Sequence, residues 1–208
     1  MSHGPVPLER TALLVCDLQN DFIHPEGAYA RGGQSSPEIA AIPARVKPLA
    51  DVLRAHGGFV VSTHFTLVPG RGGEPMISPH LKAIRPFLRK GDFLPGAWGH
   101  QLVDELAPAD FCVEKVAYSA FYMTRLEWVL RKAGITKLYV CGIVTNGGVA
   151  STVRDAHVRD LETVLLSDGC AAFSAAVHDT AVAALRPVCP VMTVAEALAE
   201  LSGLAGPS

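Results

Sequence analysis

The sequence has no strong excess of charge: 18 Lys and Arg against 20 Asp and Glu leave a net charge of −2 and a pI near 6.4. That balance gives no electrostatic footprint for nucleic acid or an anionic membrane surface. It also lacks long apolar runs, since no stretch approaches the roughly 18 residues of a membrane span. Residues 1–10 do not lead from a basic segment into an apolar one, so a secretory signal is not expected. The five cysteines are odd in number and show no CxxC spacing, which argues against both a disulfide framework and a structural zinc site. Cys16, Cys112, Cys141 and Cys189 lie in apolar, strand-like runs and read as free buried thiols of a cytoplasmic protein. No internal repeat or low-complexity linker divides the chain, and neither metal nor cofactor is expected.

What is present is enough apolar residue for a sizeable core: 49% of 208 residues, with a mean hydropathy of +0.27. Apolar runs of strand length at roughly 11–16, 59–63, 111–115, 137–142, 162–167 and 190–193 alternate with helix-periodic stretches. The helical stretches cover roughly 37–56, 98–106, 123–134, 147–159, 174–186 and 194–204. Strand runs that are apolar on both sides, each followed by a helix, predict a single doubly wound α/β domain over 1–208. Its six-stranded parallel sheet would be covered by helices on both faces. Val149, Val153 and Ala156 fall at helical spacing, where small or branched residues allow close packing on a sheet.

Two segments break the rhythm. Residues 19–36 and 64–97 are rich in Gly and Pro and too long to be simple connectors, and such loops often carry binding function. Ligands of parallel sheets bind outside the carboxyl ends of the strands. Asp17, His64, Lys115 and the turn after Gly142 all fall at such ends, so four segments converge on one crevice. Gly147 and Gly148 in the first turn of the following helix leave backbone amides open to a carboxylate or an oxyanion. A glycine turn that only lets the helix sit close to the sheet fits the same residues. Asp17 suits a general acid or base, with burial raising its pKa and a nearby Lys115 lowering it. A turn cap for Asp17, with Asp21 an equally good carboxylate, and a solvated strand-end Lys115 remain open on residue type alone.

The motifs Leu13-Leu14-Val15-Cys16-Asp17-Leu18-Gln19-Asn20-Asp21-Phe22, Phe93 to Gly99, Lys115 to Phe121, Thr124-Arg125-Leu126 and Cys141 to Ala156 occur in this order, with Asp168 and His178 further on. Over nearly its whole length the chain resembles the isochorismatase-like hydrolase superfamily. The resemblance implies a catalytic set of Asp17, Lys115 and the position held by Gly148, where most relatives carry a nucleophilic Cys. It further implies a cis Ile143-Val144 peptide and an oxyanion site made by the amides of Val144 and Gly148. Phe22, His64, Trp98, Tyr118, Phe121 and Asn146 are the expected substrate contacts, with Tyr122 a weaker member of the same aromatic wall. A core role is open for each aromatic residue. His64 stands where the nicotinamidase branch has a metal-binding His, but no Asp-x-His pair precedes it, so a structural or substrate-contacting role is expected. Arg31 and Arg71, in the glycine-rich loops, are candidates to clamp a carboxylate, although an ordinary surface arginine is the commoner reading. Cys141 belongs to a strand and is not expected to replace the missing thiol.

Without a thiol at position 148, the thioester route of nicotinamidases and carbamoylsarcosine amidases is closed. Isochorismatases proper protonate the enol carbon of a vinyl ether from the Asp and let water capture the oxocarbenium ion. The sequence-based expectation is therefore a small-molecule hydrolase that cleaves an acid-labile bond, such as a vinyl ether, with Asp17 as the acid. Amide hydrolysis by Asp17-activated water is the first alternative, and a non-catalytic binding or assembly protein the second. A homo-oligomer, dimeric or larger, is expected from the resemblance.

Overall fold

The computed structural model describes residues 6–205. The first half of the N-terminal stretch read above, and both extremes of the expected domain, lie outside the described residues. Six strands, β1 (Thr11–Cys16), β2 (Phe59–Phe65), β3 (Phe111–Lys115), β4 (Lys137–Ile143), β5 (Glu162–Ala171) and β6 (Val191–Met192), form one sheet in the order β3-β2-β1-β4-β5-β6. Every pairing is parallel. The expected six-stranded doubly wound α/β architecture is therefore the one observed.

Period-two alternation explains the two layers around the sheet. In β1, Leu13 and Val15 point to one face and Ala12, Leu14 and Cys16 to the other, all fully buried. The first face is covered by α4 (Ile42–Ala55) through Ile42, Val46, Leu49 and Leu53, and by α9 (Val194–Ala205) through Ala197 and Leu201. The second is covered by α6 (Leu126–Lys132), α7 (Ala150–His157) and α8 (Ala175–Leu185). Val149, Val153 and Ala156 are fully buried against it, as their spacing predicts.

The strand order reverses between β1 and β4, so the crevice at this switch point opens between the carboxyl ends of those two strands. The two long loops meet there. They contain short helices below the length that periodicity resolves, α1 (Asn20–Ile23), α2 (Ala28–Arg31) and α5 (Pro79–Ile84), and α3 (Pro37–Ala40) follows the first of them. A third cluster of Ala28, Tyr29, Leu67, Leu88 and Phe93, with Phe22, Phe65 and Phe173 packed on it, fastens the loops together. The buried Asp21 carboxylate ties them as well, accepting the Ala28 N–H at 3.0 Å and the Phe93 N–H at 2.6 Å.

Several boundaries differ from the sequence reading. The expected helix over 98–106 is a single 3-10 turn, Trp98–His100, because the following chain is drawn across the loop: the Val103 N–H donates to Leu18 O and the Asn20 N–H to Gln101 O. The stretch 37–56 breaks at Ala41 into two helices, each with a proline in its first turn. The helix expected over 123–134 starts only at Leu126, after Met123 with φ of 54°. The five cysteines are free, but Cys112 is exposed rather than buried because β3 is the sheet edge. Among the described residues no helix is long and apolar enough to cross a membrane.

Candidate active site

Asp17 immediately follows β1 with φ of 58°, a left-handed conformation that turns its side chain back over the strand ends. Its amide donates to Thr63 O at 3.1 Å, which fixes the turn to β2. The carboxylate accepts a hydrogen bond from the Thr63 hydroxyl at 2.9 Å on Oδ1 and meets Lys115 Nζ at 2.6 Å on Oδ2. Lys115 ends β3, two strands away, and reaches across the end of β2 with its ammonium 5.7 Å from the Phe65 ring centre. It also donates to Ala117 O at 3.0 Å. Asp17 and Lys115 are only 4% and 3% exposed, so this is a buried ion pair and not two solvated strand-end charges.

Burial pushes the Asp17 carboxyl above the usual carboxylate range; the Lys115 ammonium and the Thr63 hydroxyl oppose this without cancelling it. Asp21 is the other buried carboxylate nearby, and its two oxygens are taken by the loop amides described above. The choice between the two acids is thereby made by geometry: Asp17 faces the crevice and Asp21 holds the loops.

The turn after β4 supplies the opposite wall. Gly142, with φ of 119°, sits where any Cβ would lie 2.0 Å from Cys16 O, so only glycine passes here. The Ile143-Val144 peptide is cis, as the resemblance implied. A π-type turn over Thr145–Val149 then leads into α7. Within it the N–H groups of Gly147 and Val149 both donate to Val144 O, while the Val144 N–H has no backbone acceptor among the described residues. Thr145 Oγ1 lies 2.8 Å from His178 Nδ1, fastening the turn to α8.

Gly148 is the point where this turn meets the ion pair. A Cβ built on it would lie 3.4 Å from Asp17 Oδ2, 3.3 Å from Ile143 O and 3.5 Å from Tyr118 O. The position therefore faces the carboxylate directly, within ordinary contact distance.

The other expected contacts divide. Tyr118 is 62% exposed, with its ring edge against Gly147, and stands at the rim. Phe22 belongs to an aromatic wall, 4.6 Å from Tyr29, 4.5 Å from Phe93 and 6.0 Å from Phe65 between ring centres. Phe121 does not line the crevice: its ring is buried in the second core layer, capped by the Arg159 guanidinium at 4.8 Å. Trp98 packs edge-on against His24 at 4.8 Å. Asn146 is exposed and borders a surface groove with Ala150, Arg154, Ala176 and Thr180. Tyr122 is also exposed.

His64 points to the sheet face opposite Thr63. It lies 2.8 Å from the Ser62 hydroxyl and packs edge-on against His100 at 5.2 Å, and burial lowers its pKa to about 4. It is thus a neutral, structural imidazole. Arg31 is no free clamp either, since both Asp92 oxygens lie 2.7 Å from its Nη2. Thr63, Phe65 and Tyr29 were not legible as site residues, because their approach to Asp17 and Phe22 depends on strand order and on loop packing.

The cysteines that flank this site carry no reactive thiol. Cys16 adjoins Asp17 but is fully buried, its pKa pushed up to about 12, and Cys141 and Cys170 are raised well above the ordinary thiol value by burial. Among the described residues no group of three His, Cys, Asp or Glu side chains could hold a metal ion.

Comparison with known proteins places this geometry among hydrolases. The family model described as the isochorismatase domain matches residues 11–196. The ureidoacrylate amidohydrolase RutB of Azorhizobium caulinodans is 33% identical in an alignment of 176 positions that covers 78% of this chain and 77% of that protein. A cysteine hydrolase from Pseudomonas syringae pv. phaseolicola superposes with a TM-score of 0.82 at 27% identity, covering 97% of both chains. The N-carbamoylsarcosine amidase of Thermoplasma acidophilum superposes with a TM-score of 0.69 at 25% identity, covering 89% of this chain and 96% of that one.

Proposed function

This chain belongs to the isochorismatase family and is a hydrolase, and we propose that it cleaves a carbon–nitrogen bond in a small ureido or amide substrate with water as the nucleophile. The observation that carries the proposal is the 3.4 Å approach of the Gly148 Cβ position to Asp17 Oδ2. Where a thiol would stand in a cysteine hydrolase, Asp17 faces a backbone that carries no side chain. A water held there gives its proton to Asp17, and its oxygen adds to the substrate carbonyl carbon. The oxyanion is received by the amides of Val144 and Gly148, and the Lys115 ammonium stabilises the neighbouring charge. The tetrahedral intermediate collapses by breaking the C–N bond, and the leaving nitrogen takes the proton back from Asp17. Asp17 thus acts as base and then acid, and no acyl-enzyme forms.

The ureidoacrylate and carbamoylsarcosine activities named for the relatives favour this bond type over a vinyl ether. The vinyl-ether reading keeps one observation in its favour, the raised Asp17 pKa, which suits a carboxyl that must begin protonated. The two differ in product and in pH dependence. Water activation needs ionised Asp17, so kcat/KM rises with pH through its raised pKa to a plateau. Protonation of an enol carbon needs the acid form, so kcat/KM falls over the same range.

The test is ammonia release from a panel of ureido and amide acids beside pyruvate release from isochorismate. Asp17→Asn serves as the control and is expected to lower turnover by about 10²–10⁴-fold with the fold intact. Asp17-dependent ammonia release with a rising profile supports the proposal. Pyruvate release with a falling profile selects the vinyl ether, and full activity in Asp17→Asn removes Asp17 from the mechanism. The proposal includes a homo-oligomer in the cytoplasm, and sedimentation velocity measures its size.

A further inference from the structure

We propose that Arg85 binds a carboxylate of the substrate, so that the site selects small organic acids over their neutral analogues. The inference rests on the crevice at Asp17 and Lys115 being the active site, and it adds the substrate class. Arg85 caps the C-terminal end of α5 in the second long loop. Its Cζ lies 5.7 Å from the Tyr29 ring centre and 5.4 Å from that of Phe173, two rings that stack on each other at 5.5 Å.

Half-buried arginines need partners for their charge, and among the described residues three are half-buried: Arg54, Arg85 and Arg159. Arg54 pairs with Asp51, and Arg159 with Glu127 and Asp155. Arg85 has no carboxylate. Its Nε donates to the Tyr29 hydroxyl at 3.4 Å and its Nη1 to Ile84 O at 2.9 Å, which leaves the remaining N–H groups of a five-donor fork without an acceptor among the described residues. A guanidinium stacked on aromatic rings and held at one edge is already oriented for bidentate capture of a carboxylate.

Its placement relative to the ion pair is continuous. Phe173 follows β5 two residues after Ala171, the register partner of Ile143, so it neighbours the strand end that leads into Val144. Tyr29 packs on Phe22, Phe22 on Phe65, and the Phe65 ring adjoins the Lys115 ammonium. One aromatic wall therefore runs from the ion pair to the unpaired guanidinium. A planar acid lying along it would present its reacting end to Asp17 and its carboxylate to Arg85.

The experiment compares binding of 3-ureidopropionate with that of its methyl ester by calorimetry, to Asp17→Asn protein, in which hydrolysis is suppressed, and to the Asp17→Asn, Arg85→Gln double variant. Loss of one charge-assisted pair is expected to weaken the acid by about ten- to a hundredfold. The ester should bind both proteins equally, and the thermal midpoint should not move. Arg85→Lys, which keeps the charge and loses the fork, should fall between the two. Equal binding of the acid to both proteins, or an equal loss for acid and ester, overturns the proposal. Binding is read without turnover, so a protein that prefers the acid through Arg85 yet releases no ammonia would discard the proposed reaction and retain this site.

Discussion

At the residue scale, the most consequential position is the one without a side chain. Gly148 has no left-handed backbone that would exclude an L-residue, and a Cβ there meets its nearest neighbours at 3.3–3.5 Å, tight but not overlapping. Gly148→Cys should therefore fold with stability within about 1 kcal/mol of the wild type. Its thiol would sit beside Asp17, so peptide mapping after iodoacetamide should find position 148 alkylated along with the exposed Cys112. The variant should still release little ammonia from nicotinamide, because the aromatic wall and Arg85 rather than the thiol select the substrate. Rapid nicotinamide hydrolysis would show that the wall does not discriminate. Patterning placed Asp17, Lys115 and Gly148 at strand ends that converge in a parallel sheet, but on residue type alone a turn cap, a solvated lysine and a glycine turn fitted equally well, and only the family resemblance singled them out as a set. For Phe121, His64 and Arg31 the sequence left a site role and a structural role both open, and the structure favours the structural one, because the direction of a side chain depends on neighbours that its own segment does not contain.

At the scale of elements, the junction of β4 with the turn fixes where Val144 and Gly148 stand relative to Asp17. Gly142 pairs with Cys16 in the β1 ladder, and the register with β5 shifts between Val140 and Gly142. A methyl group here would overlap the Cys16 carbonyl in addition to adopting an unfavourable φ of 119°. Gly142→Ala should thus cost about 3 kcal/mol or more, read as a lowered urea midpoint. An unchanged midpoint would mean that the strand yields at this position. The strands themselves were readable because both of their faces are apolar. The loop helices were not, since α1 and α2 span four residues each, little more than one turn, and are held by Asp21 and by aromatic packing from distant segments.

On the scale of the whole molecule, strand order decides which residues meet, and nothing in local sequence encodes it. Placing β2 between β1 and β3 sends Thr63 toward Asp17 and leaves His64 on the opposite face, buried with Ser62 and His100. This buried imidazole ties stability to pH. With a folded pKa of about 4 against about 6.5 when unfolded, the unfolded chain takes up the proton first. Its contribution to stability is then complete above pH 6.5 and declines as the pH falls toward 4. Asp17 and Asp21 act in the opposite sense, because burial raises their pKa and the native state binds their protons more readily than the unfolded chain does. A bare pH–stability curve mixes these contributions, but His64→Gln keeps a polar partner for Ser62 and removes only the titration. Between pH 6.5 and 4.5 the wild type should lose about 2–3 kcal/mol more than His64→Gln in urea unfolding. Parallel curves would mean that His64 takes up its proton without leaving the fold, and that the Ser62–His64–His100 cluster is open to water.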